Sequence, residues 1–438
     1  MSAFEQWIDQ QYTHCAQAML RSVSAVHLLK RRPGFGQSIR AAKGSVIASP
    51  VLGAYDPDPD YFFHWFRDSA IVIDALRLLY QDRSIGPEAL THFADFVQFS
   101  LDLQQLDGRA LVSSGAWRTG VHPDFEKFVR PDAELAQVQA DTVVGETRVN
   151  PDGSLDISRW GRPQNDGPPL RALSVLRWLR TAPLSAPTRE RAATLLRADL
   201  AYTARHWTDA CYDIWEEEQG LHYYTLCVSR RALDEGASWL QDSGDPAGAQ
   251  ALRARLPAMR TRLDQFWSPA LGFYRSRDLA AGAASTKELD IAVILAAIHA
   301  PSSEPAHSVH DPKMHLTLRA LEQLFSADYP INHALPLGRG AAMGRYAGDV
   351  YYSGGAYYFS TLGAAEFCFR AAASGQPASS WMARGDAYLA TVQAYTPADG
   401  ELSEQFDKRT GAQSSARQLA WSYAAFISCV GARRAVIG

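Results

Sequence analysis

The sequence predicts an all-α fold, an (α/α)6 barrel with six inner and six outer helices. Three observations predict it. Hydrophobic periodicity of the helical kind recurs along the whole chain, while the alternation expected of strands is scarce. The helical segments are of two kinds that alternate, one apolar on nearly all sides and one with a single apolar stripe. The long loops rich in aromatics, glycine and acids each precede a segment of the first kind, so their residues are expected to converge at one end of a barrel. On periodicity alone, an irregular helical bundle is the competing arrangement.

Taken in order, helices are expected near 4–29, 67–81, 87–105, 167–180, 187–207, 221–242, 246–267, 286–299, 311–325, 355–373, 378–395 and 415–434. Between Ser69 and Tyr80 the only charges are Asp74 and Arg77, and between Ala356 and Ala373 only Glu366 and Arg370. Helices so apolar are buried on both sides. Segment 246–267 is of the other kind. Leu252, Leu256, Met259, Leu263 and Phe266 form its apolar stripe, and Arg253, Arg255, Arg260 and Arg262 fill the opposite face. Pro257 predicts a kink there. Gly244-Asp245-Pro246 and Gly375-Gln376-Pro377 read as stop–start punctuation between neighbouring helices.

At 438 residues the chain has room for two or three domains of average size. No low-complexity linker or shift in composition divides it, so one domain, 1–438, is expected. With 47% hydrophobic and 21% charged residues it is neither disordered nor a disulfide-stapled scaffold. A net charge of −4 argues against a nucleic-acid partner. No apolar run is long enough for a membrane span. The start, MSAFEQWIDQQYTHC, carries Glu5 and Asp9 and lacks a basic patch followed by an apolar core, so a cytoplasmic protein is expected. Cys15, Cys211, Cys227, Cys368 and Cys429 are odd in number and without C-x-x-C spacing, which reads as reduced, buried thiols.

Five loops carry the candidate chemistry: 60–69 (DYFFHWFRDS), 158–168 (SRWGRPQNDGP), 212–220 (YDIWEEEQG), 344–355 (GRYAGDVYYSGG) and 402–417 (LSEQFDKRTGAQSSAR). No phosphate-binding glycine loop, H-E-x-x-H or G-x-S-x-G is present. The histidines are dispersed, and His14, His27, His299 and His315 read as core or surface residues, so neither a metal nor another cofactor is expected. What remains is carboxylates among aromatics. Trp215 followed by Glu216, Glu217 and Glu218 sets acids beside a large ring. A carboxyl against an indole is desolvated and a neighbouring carboxylate repels its charge, and both favour the protonated form that a general acid needs. The same run also reads as an acidic start to a helix, favourable to its dipole. Glu404 gains meaning only as a partner, because two carboxyls from opposite loops of one barrel mouth can serve as acid and base in glycoside hydrolysis. Tyr61, Trp65, Trp160, Trp215, Tyr346, Tyr351 and Tyr352 offer flat faces on which sugar rings stack. Arg67, Asp68 and Arg345 offer directional hydrogen bonds to hydroxyls. Core packing is the ordinary alternative for each aromatic.

At these loops the sequence resembles glycoside hydrolase family 15, the glucoamylase and glucodextranase family, in a bacterial-type form reduced to the catalytic domain. The resemblance runs from about residue 44 to 434 through GSVIASP (44–50), DYFFHWFRDS, WGRPQNDGPPLRA (160–172), YDIWEEEQG, GRY (344–346) with VYYSGG (350–355), and LSEQFD (402–407) with QSSARQLAWSYAA (413–425). It implies Glu216 as the acid that protonates the glycosidic oxygen and Glu404 as the base that activates water. It implies Arg67, Asp68 and Arg345 as holders of the terminal glucose, with Glu217 at its hydroxyls. Tyr61 would stand near the developing positive charge, and Trp160 would wall the pocket. The family inverts the anomeric centre and releases β-glucose from non-reducing ends. Inversion needs about 6.5–9.5 Å between the carboxyls for a water.

The chain departs from the family's pattern at His64, Phe66, Arg148, Asn165 and Tyr357. The β-sandwich domain found ahead of the barrel in many prokaryotic relatives and a starch-binding module are expected to be absent. Short soluble α-linked gluco-oligosaccharides, maltose or isomaltose among them, are therefore the expected partner. An α-1,4 linkage is slightly favoured over α-1,6. A trehalose-cleaving enzyme, a disaccharide phosphorylase and a non-catalytic sugar-binding domain are the alternatives.

Overall fold

The apolar helices do close into a ring. The structure is a computed structural model that describes residues 2–53, 58–279, 283–374 and 378–437. In chain order its helices are α1 (Ala3–Leu20), α2 (Phe66–Gln81), α3 (Glu88–Leu103), α4 (Gly108–Ser114), α5 (Asp132–Leu135), α6 (Gly167–Thr181), α7 (Ala186–His206), α8 (Tyr223–Asp242), α9 (Pro246–Arg253), α10 (Leu256–Asp264), α11 (Ala292–His299), α12 (Pro312–Asp328), α13 (Tyr358–Ser374), α14 (Ala378–Tyr395) and α15 (Ala420–Ile437). Helices α2, α6, α8, α11, α13 and α15 touch in that order, and α15 returns to α2. Each has an outer partner: α3 on α2, α7 on α6, α9 and α10 on α8, α12 on α11, α14 on α13, and α1 on α15. This is the expected (α/α)6 barrel.

The inner helices earn their place by burial. All seven residues from Ala292 to Ile298 in α11 are buried. One apolar cluster extends from Ile8 in α1 to Val430 in α15. Within it Trp178 of α6 donates its indole N–H to the Ile73 carbonyl of α2 at 2.9 Å and stacks on Phe93 of α3 at 4.6 Å. Several outer helices begin on a side-chain cap. Outer helices α1, α7, α9 and α12 start on Ser2, Ser185, Asp245 and Asp311, whose side chains accept a first-turn N–H. Inner helices α2, α6 and α8 lack such a side-chain cap, and in α11 the first N–H, of Ala292, goes to the Asp290 carboxylate at 2.8 Å. Their positive dipole ends lie at the end of the barrel where the long loops gather.

Several expected boundaries move. The helix expected over 4–29 stops at Leu20. Strands Leu29–Arg32 and Gln37–Arg40 then pair antiparallel, because Ala25, Ile39, Ala41, Ile47 and Phe62 bury one another in a small second cluster. The expected 246–267 helix is broken into α9 and α10, with Pro257 in the first turn of α10, where its missing N–H costs nothing. The start of the expected 286–299 helix is extended instead, since Asp290 bridges Tyr346 and Ile291 donates to the Arg345 carbonyl at 2.9 Å. Residues 415–419 join the loop ahead of α15, with Ser415 and Gln418 at φ 63° and 52°. The stretch between α3 and α6, for which no elements were expected, forms α4, α5 and short 3-10 turns. The Gly375-Gln376-Pro377 punctuation lies outside the described residues.

Candidate active site

Tyr61, Trp65, Arg67, Asp68, Trp160, Trp215, Glu216, Glu217, Arg345 and Glu404, ten of the side chains singled out from the sequence, line one cavity of about 220 Å³. Ala48, Ile214, Tyr351, Phe359, Leu419 and Trp421 complete the lining. Tyr352 does not join it; it is 39% exposed and packs edge-on against Tyr351.

Glu216 hangs from a tight turn. Residues 213–218 connect strand Cys211–Tyr212 to strand Gln219–His222, and a third strand, Arg277–Leu279, pairs with the latter. Glu216 has φ 66°, in the left-handed region, which costs a non-glycine residue of order 1–3 kcal/mol. Asp213 holds it there. Its carbonyl accepts the Glu216 N–H at 2.9 Å. Its buried carboxylate accepts the N–H groups of Trp215, Glu217 and Glu218 at 2.8, 3.2 and 3.1 Å.

The turn aims the Glu216 carboxylate at three donors. Trp65 Nε1 and Arg67 Nη2 reach Oε1 at 2.9 and 3.0 Å, and Trp160 Nε1 donates to Oε2. This corrects the expectation that Trp215 is the indole beside the acid. The left-handed turn sends the Trp215 ring the other way. It stacks on Phe359 and Trp421 at 5.9 and 6.3 Å and donates its N–H to Asp290 at 2.9 Å.

Glu404 comes from the opposite wall. The register Gln405↔Ser414 sets Ser415 beside it, and the Glu404 N–H donates to the Ala416 carbonyl at 2.7 Å. Ser415 Oγ donates to Glu404 Oε2, and the Tyr61 hydroxyl stands 3.3 Å from Oε1. Burial pushes the Glu404 carboxyl up from its ordinary value to about 7, against the pull of the Ser415 hydroxyl.

Polar groups line the space between the two acids. Arg345 is gripped by both oxygens of Asp349 at 2.7 Å and extends Nη2 to Glu217 Oε1 at 3.0 Å. Lys287 reaches the other Glu217 oxygen at 2.7 Å. Arg67 Nη2 pairs with the buried Asp68 Oδ2 at 3.0 Å. Burial raises the Asp68 carboxyl above its ordinary range. Charged and polar side chains held in fixed positions around one pocket suit a ligand rich in hydroxyls.

The pocket is closed at its inner end. Phe359 and Trp421 stack at 4.4 Å and also line a separate cavity of about 50 Å³ deeper in the barrel. At the rim Trp160 is 42% exposed, and the Arg148 guanidinium lies 3.7 Å from its ring centre. The other departures from the family pattern support the walls. His64 is buried among Phe66, Phe96 and Phe99, accepts the Val46 N–H at 3.0 Å and is held neutral by burial, down to about 3. Asn165 accepts from the Tyr202 hydroxyl, and Tyr357 donates to Asp349.

Sequence reasoning did not single out Asp213, Ser415, Asp349, Phe359 or Trp421, although each stands in or next to a loop it marked. Arg277 and Asp290 gave no signal, because their partners lie far away along the chain. Among the described residues no group of three or more His, Cys, Asp and Glu is placed to hold a metal ion, and no helix is long and apolar enough to cross a membrane. His299 and His315 bond to Tyr224 and to the Val309 carbonyl.

Two carboxylates lining one pocket on an (α/α)6 barrel form an arrangement that a glycoside hydrolase can use. The model of glycosyl hydrolases family 15 matches residues 35–384 and 378–431, and the chain belongs to that family. It is 27% identical to a probable glucoamylase of Schizosaccharomyces pombe, covering 100% of this chain and 93% of that one. It is 27% identical to an intracellular sporulation-specific glucoamylase of Saccharomyces cerevisiae, covering 100% and 85%. Among solved structures, the glucoamylase of Hormoconis resinae superposes with a TM-score of 0.77 at 26% identity, covering 98% of this chain and 73% of that one.

Proposed function

We propose that this glycoside hydrolase acts as a single catalytic domain that removes β-D-glucose from the non-reducing ends of short α-linked gluco-oligosaccharides, with inversion. The observation that carries the reading is the placement of Glu216 and Glu404 in one pocket closed at its inner end. A closed pocket accepts a chain end, not a chain middle. Glu216, fixed by Trp65, Arg67 and Trp160, protonates the leaving oxygen. Glu404, ionised, takes a proton from the attacking water. Arg67, Asp68, Arg345 and Glu217 hold the hydroxyls of the terminal glucose. Tyr61 lies beside the developing positive charge, and Trp160 and Trp215 supply apolar walls. The glucoamylases to which the chain is similar support the substrate class, and α-1,4 linkages are the first expected.

The five cysteines are buried and unpaired, and one similar relative is intracellular, which supports action in the cytoplasm. Enzyme activity confined to the medium of the native host would overturn that placement.

The deciding experiment offers maltose, isomaltose and trehalose and follows the first glucose released by proton NMR. β-Glucose from maltose is expected. Glucose from isomaltose or trehalose alone overturns the linkage preference, an initial excess of α-glucose over that carried by the reducing unit overturns inversion, and turnover only with phosphate makes the protein a phosphorylase.

A further inference from the structure

The strand beside the acid-bearing turn contributes one residue that the pocket itself never touches. Arg277 is 2% exposed and does not line the cavity. Its Nη1 donates to Asp213 Oδ2 at 2.9 Å and to Glu218 Oε2 at 2.7 Å, and its Nη2 donates to Asp290 Oδ2 at 2.6 Å. Asp290 Oδ2 is also the acceptor of the Trp215 indole. One guanidinium thus grips the first and last residues of the turn, and through Asp290 the residue just before Glu216.

We infer that Arg277 is a positioning residue for the leaving-group acid: it fixes the Asp213 carboxylate that holds Glu216 in its left-handed conformation. The chemistry follows from charge and geometry. Asp213 can accept three backbone N–H groups only as an oriented carboxylate, and a buried carboxylate needs a paired cation. A guanidinium fork satisfies Asp213 and Asp290 at once from fixed directions. An ammonium at the same place keeps the charge and loses the fork. A turn freed of this clamp lets the Glu216 carboxyl drift from the bond it must protonate, and small misplacements cost rate steeply.

This rests on the assignment of Glu216 as the acid, and the test separates the two. Wild type, Arg277→Lys, Glu216→Gln and the double variant are assayed on maltose and on α-glucosyl fluoride, whose leaving group needs little protonation. Arg277→Lys is expected to lower kcat on maltose by about 10²-fold, within the range of a general-acid contribution, with KM little changed and a loss on the fluoride several-fold smaller. Added to Glu216→Gln, it should cost little more on maltose, because a residue acting only through another has nothing left to misplace. Asp213→Asn, which keeps the side chain's size, should show the same split between substrates and serves if Arg277→Lys folds poorly. Equal losses on both substrates, or full additivity with Glu216→Gln, would overturn the positioning role. Glu216→Gln itself failing to discriminate between the substrates would instead overturn the assignment of the acid.

Discussion

Burial holds the Glu404 carboxyl near 7, so as the pH falls below that value the water in the pocket loses its proton acceptor. The acid limb of kcat/KM should therefore lie near neutrality. Ser415 donates to the ionised carboxylate and thereby lowers its pKa. Removing that hydroxyl raises it further, so Ser415→Ala should move the acid limb to higher pH with a similar rate on the alkaline side. Rate–pH profiles on maltose decide this; a limb that stays put or moves down would detach Glu404 from the limb. Glu404→Gln should lower kcat by about 10²–10⁴-fold. At this scale the sequence was informative where residue type and loop agreed, as with Glu216, Glu404 and the Arg67–Asp68 pair. It was silent on direction. Nothing in Trp215-Glu216 says that the backbone turns left-handed between them, and that turn decides which indoles meet the acid.

Among the elements, α6 carries the clearest mechanical load. Trp178, in its C-terminal half and away from the pocket, ties α6 to α2 by a hydrogen bond and to α3 by a stacked ring. Trp178→Ala removes a fully buried ring and leaves the Ile73 carbonyl without that donor, an expected loss of about 3–5 kcal/mol. Denaturant unfolding measures it, and KM should be unchanged in the folded fraction. Inner helices were legible because a helix apolar all round has nowhere to go but the inside. Their ends were less so. Leu28 and Ile39 read as helix or loop by local pattern, and become part of a hairpin and its small core only because Ile47 and Phe62 arrive from further along the chain. Residues 286–291 likewise look helical until Tyr346 offers them a strand partner.

For the whole molecule, all five thiols are buried, and burial raises them well above the ordinary range, Cys211 and Cys227 to about 12. A thiol reagent should find almost none in the native protein and five after unfolding, and reductant should leave activity untouched. Rapid labelling of the native protein would contradict this burial. The two-ring architecture was legible from the alternation of apolar and striped helices; α4, α5 and the 3-10 turns beside them were not, because short turns carry no periodicity. The ring has one further consequence. Its last joint is α15 against α2, and Arg433 ties α15 outward to Glu5 of α1 and Asp386 of α14. Neighbouring helix pairs can form as they leave the ribosome, but that seam joins segments some 350 residues apart in the chain, so the catalytic hollow cannot exist before translation of the final helix is finished. A nascent chain stalled short of α15 should bind no sugar, however much of the helix it has already gained.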